Sequence, residues 1–362
     1  MRSCLFVTIL ALVLSAQEQP VITTDFSKLD WPGVELAAAS PSWVLPTAER
    51  ELLAGEFAPR ARGGAVVDGD TLRVEGLKES LRLVGLDCEE TFKNSAKDKQ
   101  LKILAASNWD EYLKTVLAGS NPLRPPKFAS PMGEAARSFG EHFFKNVTTV
   151  RVELDDLERG IDYFGRRLSH VLVMKNEKWV HFNVEVVRQG LSPYFVKYGR
   201  TRRFHENFVA AENEARAAAR GIWGKPPSLP AYPDYGVRLK WWHERDHALE
   251  RLTAREKTHP ALVLLGLDRE WKQVTELAEQ EATIAGSAGT PFHVKAGFGW
   301  IPLGHRNNRD FLIVGDFDKL KAHALAGFQG DYVVVTGIVR LYEGRPQMKL
   351  EEVTSVVRAP IE

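Results

Sequence analysis

Cysteine is nearly absent. Cys4 and Cys88 are the two in 362 residues, and this excludes a disulfide scaffold. Net charge is nearly absent too. Forty-eight Lys+Arg face 47 Asp+Glu, a formal +1, so no whole-chain field announces a polyanionic partner. The chain has no internal repeat. Hydrophobic residues make up 44% and charged residues 26%, which excludes disorder, collagen and coiled coil as the main architecture. Beyond residue 14 no apolar run reaches the ~20 residues a spanning helix needs. The length itself points to two or three domains.

The apolar run that does occur is Cys4–Leu14. It follows Met1-Arg2 and leads into Ser15-Ala16 and the polar Gln17-Glu18-Gln19-Pro20. A positive start, a short apolar stretch and small residues are the order of a secretory signal peptide. The expectation is a cleaved segment at residues 1–16, with an uncleaved anchor as the alternative. The mature chain would keep Cys88 alone, have no stable membrane insertion, and be secreted or held in the periplasm or cell envelope.

Residues 17–60 read as an N-terminal extension, with a short helix expected at Thr47–Phe57 and Thr47 as its N-cap. Residues 61–91 have strand patterning. Residues 92–127 are polar and Lys-rich, with a helical patch at Leu101–Leu117, and read as an insertion. Pro131–Lys145 is helical by composition; Thr148–Leu154 and Arg166–Met174 are strand-like. A short helix at Asn183–Gln189 stops at Gly190. Phe204, Phe208, Ala211, Ala215 and Ala218 form one apolar helix stripe. Pro226-Pro227, Pro230 and Pro233 mark a linker at 226–237. Beyond it, Arg238–Glu256 and Asp268–Ala282 are expected as helices. Phe311–Val314, Tyr332–Arg340 and Pro346–Val357 are expected as strands. Two domains follow, 61–225 and 238–362. Charge splits between them: residues 60–225 hold 28 Lys+Arg against 22 Asp+Glu, and the rest 20 against 25. The central segment thus has the sign that suits nucleic acid.

Asp68-Gly69-Asp70-Thr71 is by itself a turn signal. Arg82, Asp87 and Glu90 follow it, and Asp162-Tyr163-Phe164-Gly165-Arg166 adds a second arginine beside a turn. Phosphodiester hydrolysis needs this collection: a base to deprotonate water, and positive charge for the developing phosphoryl charge. Carboxylate oxygens suit Ca²⁺, which accepts loose geometry and backbone carbonyls. Guanidinium groups grip two phosphate oxygens and stay charged. Asp70 and Asp87 are therefore candidate metal ligands, Glu90 the base, and Arg82 with Arg166 the phosphate clamp. Arg82 and Asp87 have opposite parity along an ideal strand; Gly85 is the candidate for a bulge or bend that would bring them together, and a surface Arg–Asp ion pair is the alternative.

These residues lie in "VVDGDTLRVEGLKESLRLVGLDCEET" (66–91) and "DYFGRRLSHVLV" (162–173). "NVEVVRQGLSPYFVKYG" (183–199) and "HENFVAAENEARAAARGIWG" (205–224) follow. Together, in this order, the four segments resemble the staphylococcal nuclease (thermonuclease) family over roughly residues 60–225. The resemblance implies an α+β, mainly β fold, an OB-type five-stranded barrel with packed helices. It also implies Ca²⁺-dependent cleavage of DNA and RNA at the 5′-oxygen side of the phosphodiester. Asp70 and Asp87 fall on the calcium carboxylates, and Cys88 on the residue that supplies a backbone carbonyl to the metal. Glu90 falls on the general base, and Arg82 and Arg166 on the two phosphate arginines. There are departures: Cys88 replaces a threonine and Glu89 a proline. Tyr163 and Phe164 stand where the family often has lysine and tyrosine. Tyr163, Phe164 and Tyr198 are the candidate substrate contacts, Tyr198 as a stacking ring. An active enzyme is favoured because all five catalytic side chains are present. The alternative is a non-catalytic nucleic-acid or protein-binding module on the same barrel.

His243-Glu244-Arg245-Asp246-His247 satisfies the H-E-x-x-H pattern of zinc peptidases. Its charged central pair suits a solvated amphipathic helix better, with Trp241, Trp242 and Leu249 packing. The C-terminal strands, 332–356, resemble the end of an OB-like barrel. Tyr332, Tyr342, Arg340 and Arg345 are its candidate nucleic-acid contacts, although net acidity favours a structural or protein-contact role.

Overall fold

The computed structural model describes residues 54–61, 64–155, 160–162, 164–259, 261–265, 268–295, 297–304 and 311–359. The signal segment, residues 17–53 of the extension, and Tyr163 lie outside the described residues. Among the described residues no helix is long and apolar enough to cross a membrane.

The chain begins with strands β1 (Ala54–Phe57), β2 (Val66–Asp68), β3 (Thr71–Leu72) and β4 (Leu81–Leu83). Helices α1 (Ala96–Ser107), α2 (Trp109–Leu117) and α3 (Pro131–Phe143) follow. Then come β5 (Val150–Leu154), β6 (Arg167–Lys175), β7 (Lys178–His181), α4 (Phe182–Arg188) and α5 (His205–Ala217). The first six strands form one sheet in the order β1-β5-β6-β4-β3-β2, and β7 pairs with β6. The pairs are antiparallel except β4 with β6, which run parallel with α3 in the connection between them. The arrangement is mixed α/β and consistent with an OB-like fold.

The helix expected over Thr47–Phe57 is corrected at its end. Ala54–Phe57 is strand β1, with Ala54 opposite Glu153 and Phe57 opposite Val150. Ladder pairing to β5 overrides the local helix propensity of this Ala/Glu-containing stretch.

Residues 92–127 carry two capped helices. Ser95 caps α1 by accepting from the Asp98 amide, and Asn108 caps α2 by accepting from Glu111. Their apolar side chains gather around Ala105, Tyr112, Phe128 and Tyr232. Tyr232 belongs to the proline-rich stretch expected as a linker, so that stretch is packed structure.

After it come α6 (Tyr235–Glu256), β8 (Leu262–Leu264), α7 (Asp268–Glu276) and β9 (Glu281–Ser287). The helix expected to reach Ala282 stops at Glu276, because residues from Glu281 onward pair along a later strand. Strands β10 (Phe292–Lys295), β11 (Phe298–Leu303) and β12 (Phe311–Asp316) follow. Helices α8 (Phe317–Ala322) and α9 (Ala324–Gly327) lead to β13 (Tyr332–Ile338), β14 (Arg340–Tyr342), β15 (Arg345–Lys349) and β16 (Val353–Arg358). Two sheets result, β10-β11-β12-β15-β14 and β16-β13-β9-β8. They enclose one apolar core around Ile284, Ile301, Phe311, Ile313, Val333 and Met348. Here too a helix-spanned connection joins strands that pair in parallel, β12 with β15, as β4 pairs with β6. Tyr332 is buried at 5% exposure, so it is core and not a nucleic-acid contact. Tyr342 is exposed, and Arg340 is spent on Glu279 and Glu352.

Candidate active site

Strand alternation places Arg82. Leu81 and Leu83 are buried at either side of it in β4, so the guanidinium leaves the opposite face. Its Nη1 pairs with Asp70 Oδ1, and its Nη2 meets Asp87 Oδ1 at 2.6 Å and donates to the Leu86 carbonyl at 3.3 Å. Arg82 is paired Cα to Cα with Thr71 across β3–β4. Thr71 donates to Asp70 Oδ1 at 3.1 Å, and the Cys88 amide donates to Asp70 Oδ2 at 3.2 Å. Asp70 is thus held by a charge, a hydroxyl and an amide.

Asp87 reaches the same guanidinium because the chain turns after β4. Gly85 sits at φ 79°, in the left-handed region, and a Cβ there would lie 2.5 Å from Phe208 Cζ. Both the turn and the close approach of α5 therefore require glycine. Asn183 fixes the turn from behind: its amide nitrogen donates to Val84 O and Ser169 O at 3.0 Å, and its oxygen accepts from the Val171 amide. The Asp87 amide donates to Ser192 Oγ at 2.8 Å.

Two adjacent glutamates then diverge. Glu89 is buried at 1% exposure. Its carboxylate accepts from Ser130 Oγ, and from the Tyr232 amide and Tyr235 hydroxyl at 2.8 Å each. Burial pushes its pKa up to about 7, against the pull of these donors. Glu89 therefore ties the loop to α3 and to the start of α6. Glu90 has a side chain 39% exposed. Its backbone pairs with Ala129, and its carbonyl accepts from the Ser130 amide at 3.0 Å. Gly133 of α3 is pressed against it: a Cβ there would stand 2.2 Å from Glu90 O.

Arg166 is oriented by Asp162. Its Nε and Nη2 each lie 2.7 Å from Asp162 Oδ2, and its own amide donates to Oδ1 at 2.8 Å. Arg166 Nη1 reaches Thr71 Oγ1 at 3.4 Å. Phe164 is exposed, 5.3 Å from the Arg166 guanidinium. Tyr198 is also exposed, with Lys197 Nζ and the Arg245 guanidinium each 5.5 Å from its ring. Burial and Arg245 bring the Lys197 pKa down to about 7.

A residue that no sequence pattern flagged completes the cluster. Lys127, which follows the two helices of residues 92–127, places Nζ 2.5 Å from Asp87 Oδ1 and 4.0 Å from Glu90 Oε1. Burial works against its charge, but Asp87 outweighs that and raises its pKa. Burial alone would raise the Asp87 pKa, whereas Lys127 and Arg82 bring it below the ordinary value. Asp68, half-buried and beside Asp70, has its pKa pushed up to about 6. Burial and Asp70 push the Cys88 thiol well above its usual range, leaving it unreactive as a nucleophile. A continuous path thus runs Arg166, Thr71, Asp70, Arg82, Asp87, Lys127, Glu90.

The donor set fits a hard divalent ion. Asp70 and Asp87 converge on one cation, and Asp68 and Glu90 make the acids outnumber Arg82 and Lys127. Asp70, Asp87 and the Cys88 carbonyl would hold Ca²⁺.

The H-E-x-x-H pattern does lie on a helix, α6, with His243 and His247 exposed. Its central Arg245 and Asp246 are buried, which corrects the expectation of a solvated pair. Arg245 donates to Lys197 O at 3.0 Å and Ser287 Oγ at 3.1 Å. Asp246, His247 and Glu250 come close together without His243, and Arg200 already binds both of those acids at 2.9 Å.

No curated protein matches the chain. Residues 80–225, which carry Arg82, Asp87, Glu90, Lys127 and Arg166 of this cluster, match the family model described as staphylococcal nuclease homologue.

Proposed function

We propose that the protein is an exported Ca²⁺-dependent phosphodiesterase that hydrolyses DNA or RNA. The observation that carries this reading is the unbroken hydrogen-bond and ion-pair path that links both arginines and both metal-candidate aspartates, with Glu90 beside its end. When bound, the divalent ion supplies positive charge to a phosphoryl oxygen. The protein's own groups do the rest. Glu90, open to solvent, accepts the proton of the attacking water. Arg166, aimed by Asp162, and Arg82 meet the phosphoryl oxygens and neutralise the charge that grows on them in the transition state. Phe164 and Tyr198 offer exposed rings to the bases.

Export rests on the signal-like order of residues 1–16, with a secreted, periplasmic or cell-envelope destination. Residues 61–225 are the nuclease domain and 238–362 a second, OB-like domain. Closure of the first sheet into a barrel is supported by the bridge Pro59–Val74 together with the β1–β5 pairing. The test is incubation of purified mature protein with plasmid DNA and with RNA, in Ca²⁺ or in EDTA. Degradation in Ca²⁺ alone, reduced in Arg166→Ala, is expected. Degradation that persists in EDTA would remove the metal from the account. Intact substrate in every lane would favour the binding-module alternative.

A further inference from the structure

Lys127 sits on the same Asp87 oxygen that receives Arg82, so one carboxylate oxygen carries two cations at 2.5 and 2.6 Å. Its place there is built, not incidental. Pro125 and Pro126 precede it and fix the approach of the backbone. Arg238, 3% exposed, donates to the Pro125 carbonyl at 3.3 Å and to the Pro126 carbonyl at 2.5 Å, and is itself braced by Asp234. On the other side, the Tyr232 hydroxyl donates to Phe128 O at 2.7 Å and accepts from the Phe128 amide at 3.0 Å. Residues beyond the family-matched stretch thus clamp the chain on both sides of Lys127.

We propose that Lys127 is a tethered cation that competes with the divalent ion for Asp87 and so sets the metal affinity of the site. The proposal rests on Asp70 and Asp87 being the metal carboxylates. An ion approaching Asp87 meets a positive charge already bonded there. It must displace the amine toward Glu90 or solvent before it gains the oxygen. Repulsion between like charges at such short range in a half-buried site is large enough to dominate the affinity. The clamp keeps the amine close and raises its effective concentration at Asp87.

The experiment is calorimetric titration of Ca²⁺ into the full mature chain after EDTA stripping, for the parent, Lys127→Met, Lys127→Gln and Lys127→Arg at one ionic strength. Met keeps the aliphatic stem and removes the charge; Gln is a second neutral variant should Met fold poorly, and melting curves check both. One Ca²⁺ per chain is expected in each. The neutral variants should bind roughly tenfold tighter or more, while Lys127→Arg stays near the parent. Parent and neutral variants of equal affinity, or neutral variants that bind more weakly, would overturn the competition. Absence of binding in all four proteins would instead overturn the metal site itself, and the competition with it.

Discussion

Replacement of Arg82 by Met separates what the guanidinium does for stability from what it does for chemistry. The side chain is 13% exposed and pairs with two carboxylates that are 8% and 5% exposed. Breaking a buried ion pair by removing one partner costs about 3–5 kcal/mol. Asp70 keeps the Thr71 hydroxyl and Cys88 amide, and Asp87 keeps Lys127, so the loss belongs at the low end, about 3 kcal/mol. Calcium would occupy the charge deficit. At a hundredfold excess over its dissociation constant a ligand stabilises by ~2.7 kcal/mol, and the increment grows as binding tightens. Urea unfolding in EDTA should therefore show Arg82→Met about 3 kcal/mol less stable than the parent, with a larger calcium increment than the parent shows. Turnover on plasmid DNA should stay down roughly 10²–10³-fold even in saturating calcium, because the phosphate clamp is gone. Two results would refute the reasoning. Equal stability in EDTA would mean that the Asp70–Arg82–Asp87 pairing contributes nothing. Calcium-restored turnover would mean that Arg82 never touches phosphate.

Three further outcomes are expected. Gly133→Ala drives a methyl to 2.2 Å from the Glu90 carbonyl and 2.6 Å from that of Glu89; backbone cannot yield as a side-chain tip does, so it should lose about 1–3 kcal/mol by denaturant titration and lower kcat as Glu90 shifts. Asn183→Ala removes three hydrogen bonds behind the Gly85 turn, two of them buried, and should cost roughly 3 kcal/mol, read from its urea midpoint. Glu185, 1% exposed, has a folded pKa raised by burial to about 7 against the pull of Arg188. The folded state then holds a proton that the unfolded state releases, so stability should fall as pH rises from about 4.5 to about 7 and level off above. Its share of the fall should be about 3 kcal/mol at most, and Glu185→Gln should shrink the pH 5 to pH 8 difference in denaturant titrations by that share, the remainder belonging to Glu89 and Asp68, whose folded pKa values are raised too.

The convergence of the cluster was legible where the chain order carries it. Asp70, Arg82, Asp87 and Glu90 fall within one β-rich stretch, and parity points to a bend between Arg82 and Asp87, for which Gly85 is the candidate. Lys127 was not legible. Its contact with Asp87 depends on how far the insertion folds back, which is decided by Tyr232 and Arg238 more than a hundred positions later. In the sequence Glu89 is one more acid beside Glu90, yet three donors draw it into the interior. No local signal distinguishes the inward glutamate from the outward one, because alternation is a property of the strand and not of the residue. The proline-rich 226–237 stretch failed as a linker for a related reason. Prolines mark irregular backbone, but Tyr232 and Tyr235 within it bury against Glu89 and Phe128.

The most direct test of the account is the single-turnover cleavage rate of a labelled oligonucleotide in saturating Ca²⁺, measured for Glu90→Gln beside Glu89→Gln. Glu90→Gln should fall by roughly 10²–10⁴-fold with binding retained, while folded Glu89→Gln keeps the parent rate within a few-fold. A Glu90→Gln enzyme as fast as the parent would contradict the assignment of the base, and with it the hydrolytic site.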